Sequence, residues 1–282
     1  MKLNVLCIGD VVGRPGRRIL ADHLIHIVKE HSVDCVIANA ENAAGGSGLT
    51  PQIYDKLLKY GVNLITLGDH AYRKKDLISI LETSDNIVRP MNWGAYAAGK
   101  GYAVYTTAKG CTVAVVSLMG RTFMKPANCP FEAIDANLIK IRQLADVVFV
   151  EVHAEATSDK VALGYYLSGK VSCVYGTHTH IPTADETILN GGTAYITDIG
   201  MTGPCDSVLG RGKENVIKSL RTQMPFAYEI ATGDVRVNGI LVTVDSNTKN
   251  AEKIQRICFK ADFDDNASYD SDDGRPEPLS NF

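Results

Sequence analysis

Five short apolar runs in this chain each give way to side chains that can hold a metal or move a proton. Asp10 follows the run at 3–8, Glu41 and Asn42 follow 35–38, and Asp69 and His70 follow 63–67. His153 follows 147–152, and His178 and His180 follow 171–175. Carboxylates and imidazoles without cysteine suit manganese, iron, zinc or magnesium, and several anions in one pocket demand a cation. Two such ions roughly 3.5–4 Å apart would clamp the attacking and leaving oxygens of a phosphoryl group and hold a hydroxide between them. A carboxylate from Glu41 or Asp69 could bridge the pair. The spacing therefore predicts phosphate-ester hydrolysis at a dinuclear centre.

Taken singly, these residues have ordinary structural roles. Asp10 after Gly9 fits a turn or helix cap, and His153 fits a satisfied strand-end histidine. His178-Thr179-His180 carries more, because alternation along an extended segment puts both imidazoles on one face. His23, His26 and His31 lie in one amphipathic helix and are read as surface or boundary residues. Gly45, Gly46 and Gly48 are read as turn formers that support the site weakly, since neither a Walker nor a dinucleotide fingerprint is present. Arg14, Arg17 and Arg18 are read as a solvated helix start, with phosphate contact the alternative.

The elements that must position these groups repeat as β-α units. The apolar run at 3–8 precedes an amphipathic stretch at 17–31; 35–38 precedes a helix opened by Thr50-Pro51; and 63–67 precedes a helical pattern through Leu77, Ile78 and Leu81. Three such units predict a largely parallel sheet flanked by helices, whose strand carboxyl ends share one edge where ligands bind. Residues 102–107 and 112–118, parted by Lys109-Gly110, predict a hairpin in a second sheet. Strands at 147–152 and 171–175 with a helix at 156–167 between them follow, and 239–244 predicts a late antiparallel strand.

A chain of 282 residues, 45% hydrophobic, can bury a large core, and one domain is expected over 1–260. Beyond it, 261–282 reads as an acidic, loosely ordered tail with few apolar anchors. A net charge of −3 shows no basic surplus, so extended electrostatic binding to long nucleic acid is not signalled, and small phosphorylated ligands stay open. Seven scattered cysteines without a CxxC pair predict a reduced, cytoplasmic protein, and no segment has the length and apolarity of a signal peptide or membrane span.

The motifs Gly9-Asp10-Val11-Val12-Gly13, Asn39-Ala40-Glu41-Asn42, Gly68-Asp69-His70, the stretch at 152–157, Gly176-Thr177-His178-Thr179-His180 and the stretch at 195–204 span nearly the whole chain. On these the sequence resembles the YmdB-type branch of the calcineurin-like metallophosphoesterases, related to bacterial 2′,3′-cyclic-nucleotide phosphodiesterases. The resemblance implies a two-sheet α/β sandwich. It also implies that Asp10, Glu41, Asn42 and His180 hold one metal, while Glu41, Asp69, His153 and His178 hold a second. Iron or manganese is expected, with magnesium or zinc as alternatives and a mixed-valence pair allowed. A metal-bridging hydroxide would open a 2′,3′-cyclic nucleotide with His70 as general acid, and a homo-oligomer is expected. Phosphomonoesters, RNA ends, or a regulatory role with weak catalysis are the rival readings. The family's Gly-Asn-His is Gly-Asp-His here. Three carboxylates against two divalent ions leave about +1 in place of about +2, so attraction for phosphate is expected to weaken and diester monoanions to be favoured over monoester dianions.

Overall fold

The computed structural model describes residues 1–260, so the tail expected at 261–282 lies outside the described residues. Alternation along the first strand sets up two layers at once. In β1 (Lys2–Ile8), Leu3, Val5 and Cys7 enter one buried cluster while Leu6 and Ile8 enter another. The chain continues through β2 (Asp10–Val11), α1 (Gly13–Glu30), β3 (Cys35–Asn39), α2 (Pro51–Tyr60), β4 (Leu64–Thr66), α3 (Ile78–Thr83) and β5 (Ile87–Val88). Strands β1, β3, β4 and β5 pair in parallel, as the repeated β-α units predict. Helix α2 shows the local logic of these units. The Thr50 hydroxyl accepts from the Ile53 amide at its start, and Gly61, at φ 109°, supplies the left-handed residue that ends it.

The remainder comprises β6 (Tyr102–Thr106), β7 (Thr112–Met119), α4 (Pro130–Leu144), β8 (Val147–His153), α5 (Thr157–Leu167), β9 (Cys173–Thr177), β10 (Thr187–Leu189), β11 (Thr193–Ile196), β12 (Met201–Pro204), α6 (Lys213–Thr222), β13 (Val235–Asp245) and β14 (Ala251–Lys260). One sheet runs β2-β12-β13-β1-β3-β4-β5, with β14 on β13; the other runs β10-β11-β9-β8-β7-β6. The hairpin expected around Lys109-Gly110 is β6 and β7, antiparallel, in the second sheet. The late strand expected at 239–244 lies within β13 and runs antiparallel to β1.

Between the sheets, Leu3, Val5, Ile37 and Leu64 cluster with Val113, Val115, Phe149 and Tyr175. Outside the first sheet, Leu6 and Ile8 cluster with Leu20 and Leu24 of α1 and Ile53 and Leu57 of α2. Outside the second, Val148 and Val150 cluster with Ile134 and Leu138 of α4 and Leu163 and Leu167 of α5. Helices, two sheets and helices in succession make the expected two-sheet α/β sandwich. Among the described residues no helix is long and apolar enough to cross a membrane.

Candidate metal centre

Both sheets end their parallel strands on one edge, and every side chain singled out at a strand end meets its fellows there. His153, the last residue of β8, places Nε2 3.1 Å from Glu41 Oε1 and 3.3 Å from Asp69 Oδ1. His178 Nδ1 lies 3.1 Å from His153 Nε2 and 3.5 Å from Asp69 Oδ1. The ligating atoms of Glu41, Asp69, His153 and His178 all fall within 4.8 Å of one another. Beside them, His180 Nε2 lies 3.7 Å from Asp10 Oδ1 and 3.2 Å from Asn42 Nδ2, which is itself 3.4 Å from Glu41 Oε1. Glu41 thus stands between two groups of side chains. His70 closes the mouth, with Nδ1 2.8 Å from Asn42 Oδ1 and Nε2 3.7 Å from Asp69 Oδ2, while its backbone N–H donates to Glu41 Oε2 at 3.0 Å.

His178 and His180 arrive by a different route from the one expected. They do not alternate along an extended strand: both follow β9 in turns at φ 91° and 66°. These left-handed conformations cost non-glycine residues on the order of 1–3 kcal/mol each and persist only when surroundings over-determine them. The restraint is Asp198. Its Oδ2 accepts from the Thr179 hydroxyl at 2.6 Å and the Thr179 amide at 3.3 Å, and its Oδ1 from the Gly200 amide at 2.8 Å. Lys160 Nζ meets the same Oδ2 at 2.7 Å in a pair whose members are each 1% exposed. Close approach matters on the other side as well: a Cβ on Gly68 would lie 2.2 Å from the His153 ring, so only glycine fits before Asp69.

A buried acid that the sequence reading passed over lies beneath the cluster. Glu151, fully buried, accepts from Asn39 Nδ2 at 2.7 Å, Thr177 Oγ1 at 3.0 Å, Tyr175 OH at 3.2 Å and the Thr66 hydroxyl. Thr177 Oγ1 has given its hydrogen to Glu151 and so accepts from His153 Nδ1 at 2.9 Å. That fixes a proton on the outer nitrogen and turns Nε2 toward Glu41 and Asp69. The other imidazoles are held likewise. His180 Nδ1 donates to the Leu209 carbonyl at 3.1 Å, and His178 Nε2 faces Glu155 at 3.4 Å. The available signal for Glu151 was a lone carboxylate inside the apolar run 147–152.

The electrostatics fit a cation. Burial pushes the Asp10 carboxyl up to about 7, with His153 opposing and Glu41 adding to the rise. Burial acts most strongly and would raise Glu41, yet the charges of His153 and His70 and the hydrogen bond from His153 together outweigh it and hold Glu41 at about 2. His153 itself rises well above the ordinary imidazole range, because the carboxylates of Glu41, Asp69 and Asp10 overcome its burial. The surrounding carboxylates thus favour a second proton on His153, a positive charge at this point. Asp10 Oδ1 is buried and has no hydrogen-bond partner among the described residues, and the inward nitrogens of His153 and His178 face each other. An orphaned carboxylate oxygen and two convergent imidazole nitrogens suit divalent cations, which would displace that proton. Asn42 fits less directly. Its oxygen faces His70 and its amide nitrogen faces Glu41 and His180, so ligation would use the opposite end of the amide.

The remaining candidates fall outside this cluster. Arg17 is not a solvated helix start: α1 begins at Gly13, and Arg17 is 2% exposed with Nη1 donating to the Ala43 carbonyl at 2.6 Å. Arg18 pairs with Asp22 within α1. Gly45, Gly46 and Gly48 take φ of 60°, 82° and 86°, so turn geometry accounts for them. His26 is exposed, and His23 packs on Phe259.

The YmdB-like protein family model matches residues 6–257. Over 260 residues the chain is 42% identical to a 2′,3′-cyclic-nucleotide 2′-phosphodiesterase of Bacillus subtilis, spanning 92% of this chain and 98% of that one. Among solved structures, a hypothetical protein from Thermus thermophilus superposes with a TM-score of 0.86 at 41% identity, over 92% of this chain and 99% of the other. A phosphatase from Mycoplasma pneumoniae also gives 0.86, at 34% identity, over 92% and 94%.

Proposed function

The chain belongs to the YmdB-like family, and from that premise we propose that it is a metal-dependent phosphodiesterase that hydrolyses 2′,3′-cyclic nucleotides. The observation that carries this reading is the position of Glu41, which touches both groups of ligand-type side chains at the shared edge of the two sheets. Asp10, Glu41, Asn42 and His180 would hold one ion, and Glu41, Asp69, His153 and His178 the other. Two divalent or mixed-valence ions, iron or manganese by this donor set with magnesium or zinc as alternatives, would supply a Lewis-acid clamp on phosphoryl oxygens and a water of lowered pKa. The unpaired cysteines, four of the seven buried, support a reducing cytoplasmic setting.

The chain's own residues account for the rest. His70 is 24% exposed, so it reaches the substrate side of the cluster and can be reloaded with a proton from solvent. The Asn42 side-chain amide, 2.8 Å from Nδ1, orients its ring. Opening the cyclic diester adds a hydroxyl to phosphorus and breaks one phosphorus–oxygen bond, and the departing ribose oxygen needs a proton to avoid leaving as an alkoxide. His70 would supply it. The carboxylate of Asp69 lowers the site's attraction for anions, and Lys125, with Nζ 3.9 Å from Asp69 Oδ2, offsets part of that charge. A diester monoanion suits this balance better than a monoester dianion.

His70→Ala is expected to lower kcat on a 2′,3′-cyclic nucleotide by roughly 10²–10⁴-fold while metal content holds. The loss should be far smaller on an aryl diester, whose phenolate departs without protonation. Equal losses on both substrates would assign His70 a structural role, and unchanged turnover would remove it from the reaction.

A further inference from the structure

Next to Asp69 a cavity of about 620 Å³ opens, lined by Tyr72, Arg73, Trp93 and Lys125 among others. Its volume lies within the range of pockets that take a ligand of nucleotide size, roughly 300–1,000 Å³. Trp93 is the one tryptophan in the chain. It pairs with Tyr72 at 5.1 Å between ring centroids and 44° between planes, giving the cavity an aromatic wall. Arg73 lines the same cavity and adds a guanidinium, a group rich in hydrogen-bond donors, to its wall. Lys125 marks the boundary between cavity and cluster through its 3.9 Å approach to Asp69.

The wall is held from behind. Asn92, 1% exposed, donates to the carbonyls of Met119 at 2.8 Å and Asn128 at 2.9 Å, joining the loop that carries Trp93 to the loop that carries Lys125. Arg89 donates to the carbonyls of Pro90 at 2.7 Å and Ala97 at 3.1 Å, and the Tyr72 hydroxyl to that of Ala98. Rings fixed before a ligand arrives lose little freedom when it stacks on them.

We infer that this cavity is the nucleoside subsite: the base lies against Trp93, the Arg73 guanidinium on the cavity wall offers donors to the base, and Lys125 meets the phosphate as it enters the cluster. The inference rests on the phosphodiesterase reading and extends it from a diester in general to one bearing a base. Aromatic stacking accepts any base, since every base has a π-face, so the subsite favours nucleotides over base-free diesters without choosing among bases.

The lone tryptophan gives a readout that needs no turnover. Titrating the full-length protein with a nucleoside 3′-monophosphate should quench Trp93 fluorescence saturably, and inorganic phosphate should not. In kinetics, Trp93→Ala should lower the ratio of kcat/KM for a 2′,3′-cyclic nucleotide to that for a base-free cyclic ribose phosphate on the order of 10-fold to 100-fold, mainly through KM. Trp93→Phe, which keeps an aromatic face, should restore most of the ratio. An unchanged ratio in Trp93→Ala, or no quench by the nucleotide, would overturn the subsite. Quenching without hydrolysis of any phosphodiester would instead sustain the subsite and overturn the proposed reaction.

Discussion

Glu41→Gln is expected to cut turnover of a 2′,3′-cyclic nucleotide by roughly 10³-fold, because the clamp on a phosphoryl group is worth several kcal/mol and each 1.36 kcal/mol is tenfold in rate. Glutamine keeps the size of the side chain and one oxygen acceptor but removes the charge. Glu41 is 1% exposed and faces His153 Nε2 at 3.1 Å, Asn42 Nδ2 at 3.4 Å and His70 Nδ1 at 3.7 Å, so the lost charge falls where both groups of side chains meet. Metal content per chain should fall with activity, while Glu151 and the network behind His153 stay intact. A variant with full metal content and turnover near that of the parent would show that Glu41 is not the shared ligand.

Lys160→Met should destabilise the fold by about 3–5 kcal/mol, the cost of leaving one member of a buried ion pair uncompensated. Asp198 would keep its hydrogen bonds from Thr179 and Gly200 but lose its counter-charge in a site that water does not reach. The effect should extend to the cluster, since Thr179 lies between the two histidines held at positive φ. Weaker metal retention is expected along with the lower stability. Adding Asp198→Asn should recover part of the loss, because the uncompensated charge disappears while an acceptor for Thr179 remains. Chemical denaturation of the three proteins measures this; a loss below about 1 kcal/mol in the single variant would mean that the pair is solvated and not structural.

The cluster was legible because its members sit where short apolar strands stop, and the carboxyl ends of parallel strands share an edge whatever their order. The same rule gave both sheets, since β1, β3, β4, β8 and β9 all read as apolar runs before loops. His178 and His180 were found through a mistaken geometry. Both are where the histidine pair suggested, yet a strained turn held by Asp198 brings them in, and that carboxylate lies 38 residues from the lysine that pairs with it. Arg17 was misread for a related reason: its acceptor, the Ala43 carbonyl, is 26 residues away. Helix α4 was missed although Ile134, Leu138 and Ile141 are spaced for one buried face, and β14 was missed because its exposed edge carries Glu252, Lys253, Gln255 and Arg256 between its apolar positions. Glu151 was the clearest loss, because a carboxylate inside an apolar strand must find several donors, and here they come from β3, β4 and β9.

Metal analysis of the purified full-length chain, paired with 2′,3′-cyclic-nucleotide hydrolysis before and after chelation, tests the central claim most directly. About two ions per chain are expected, with activity lost on their removal and regained when iron or manganese is returned. Undiminished hydrolysis by the metal-free chain, or a fully loaded chain that opens no cyclic nucleotide, would contradict it.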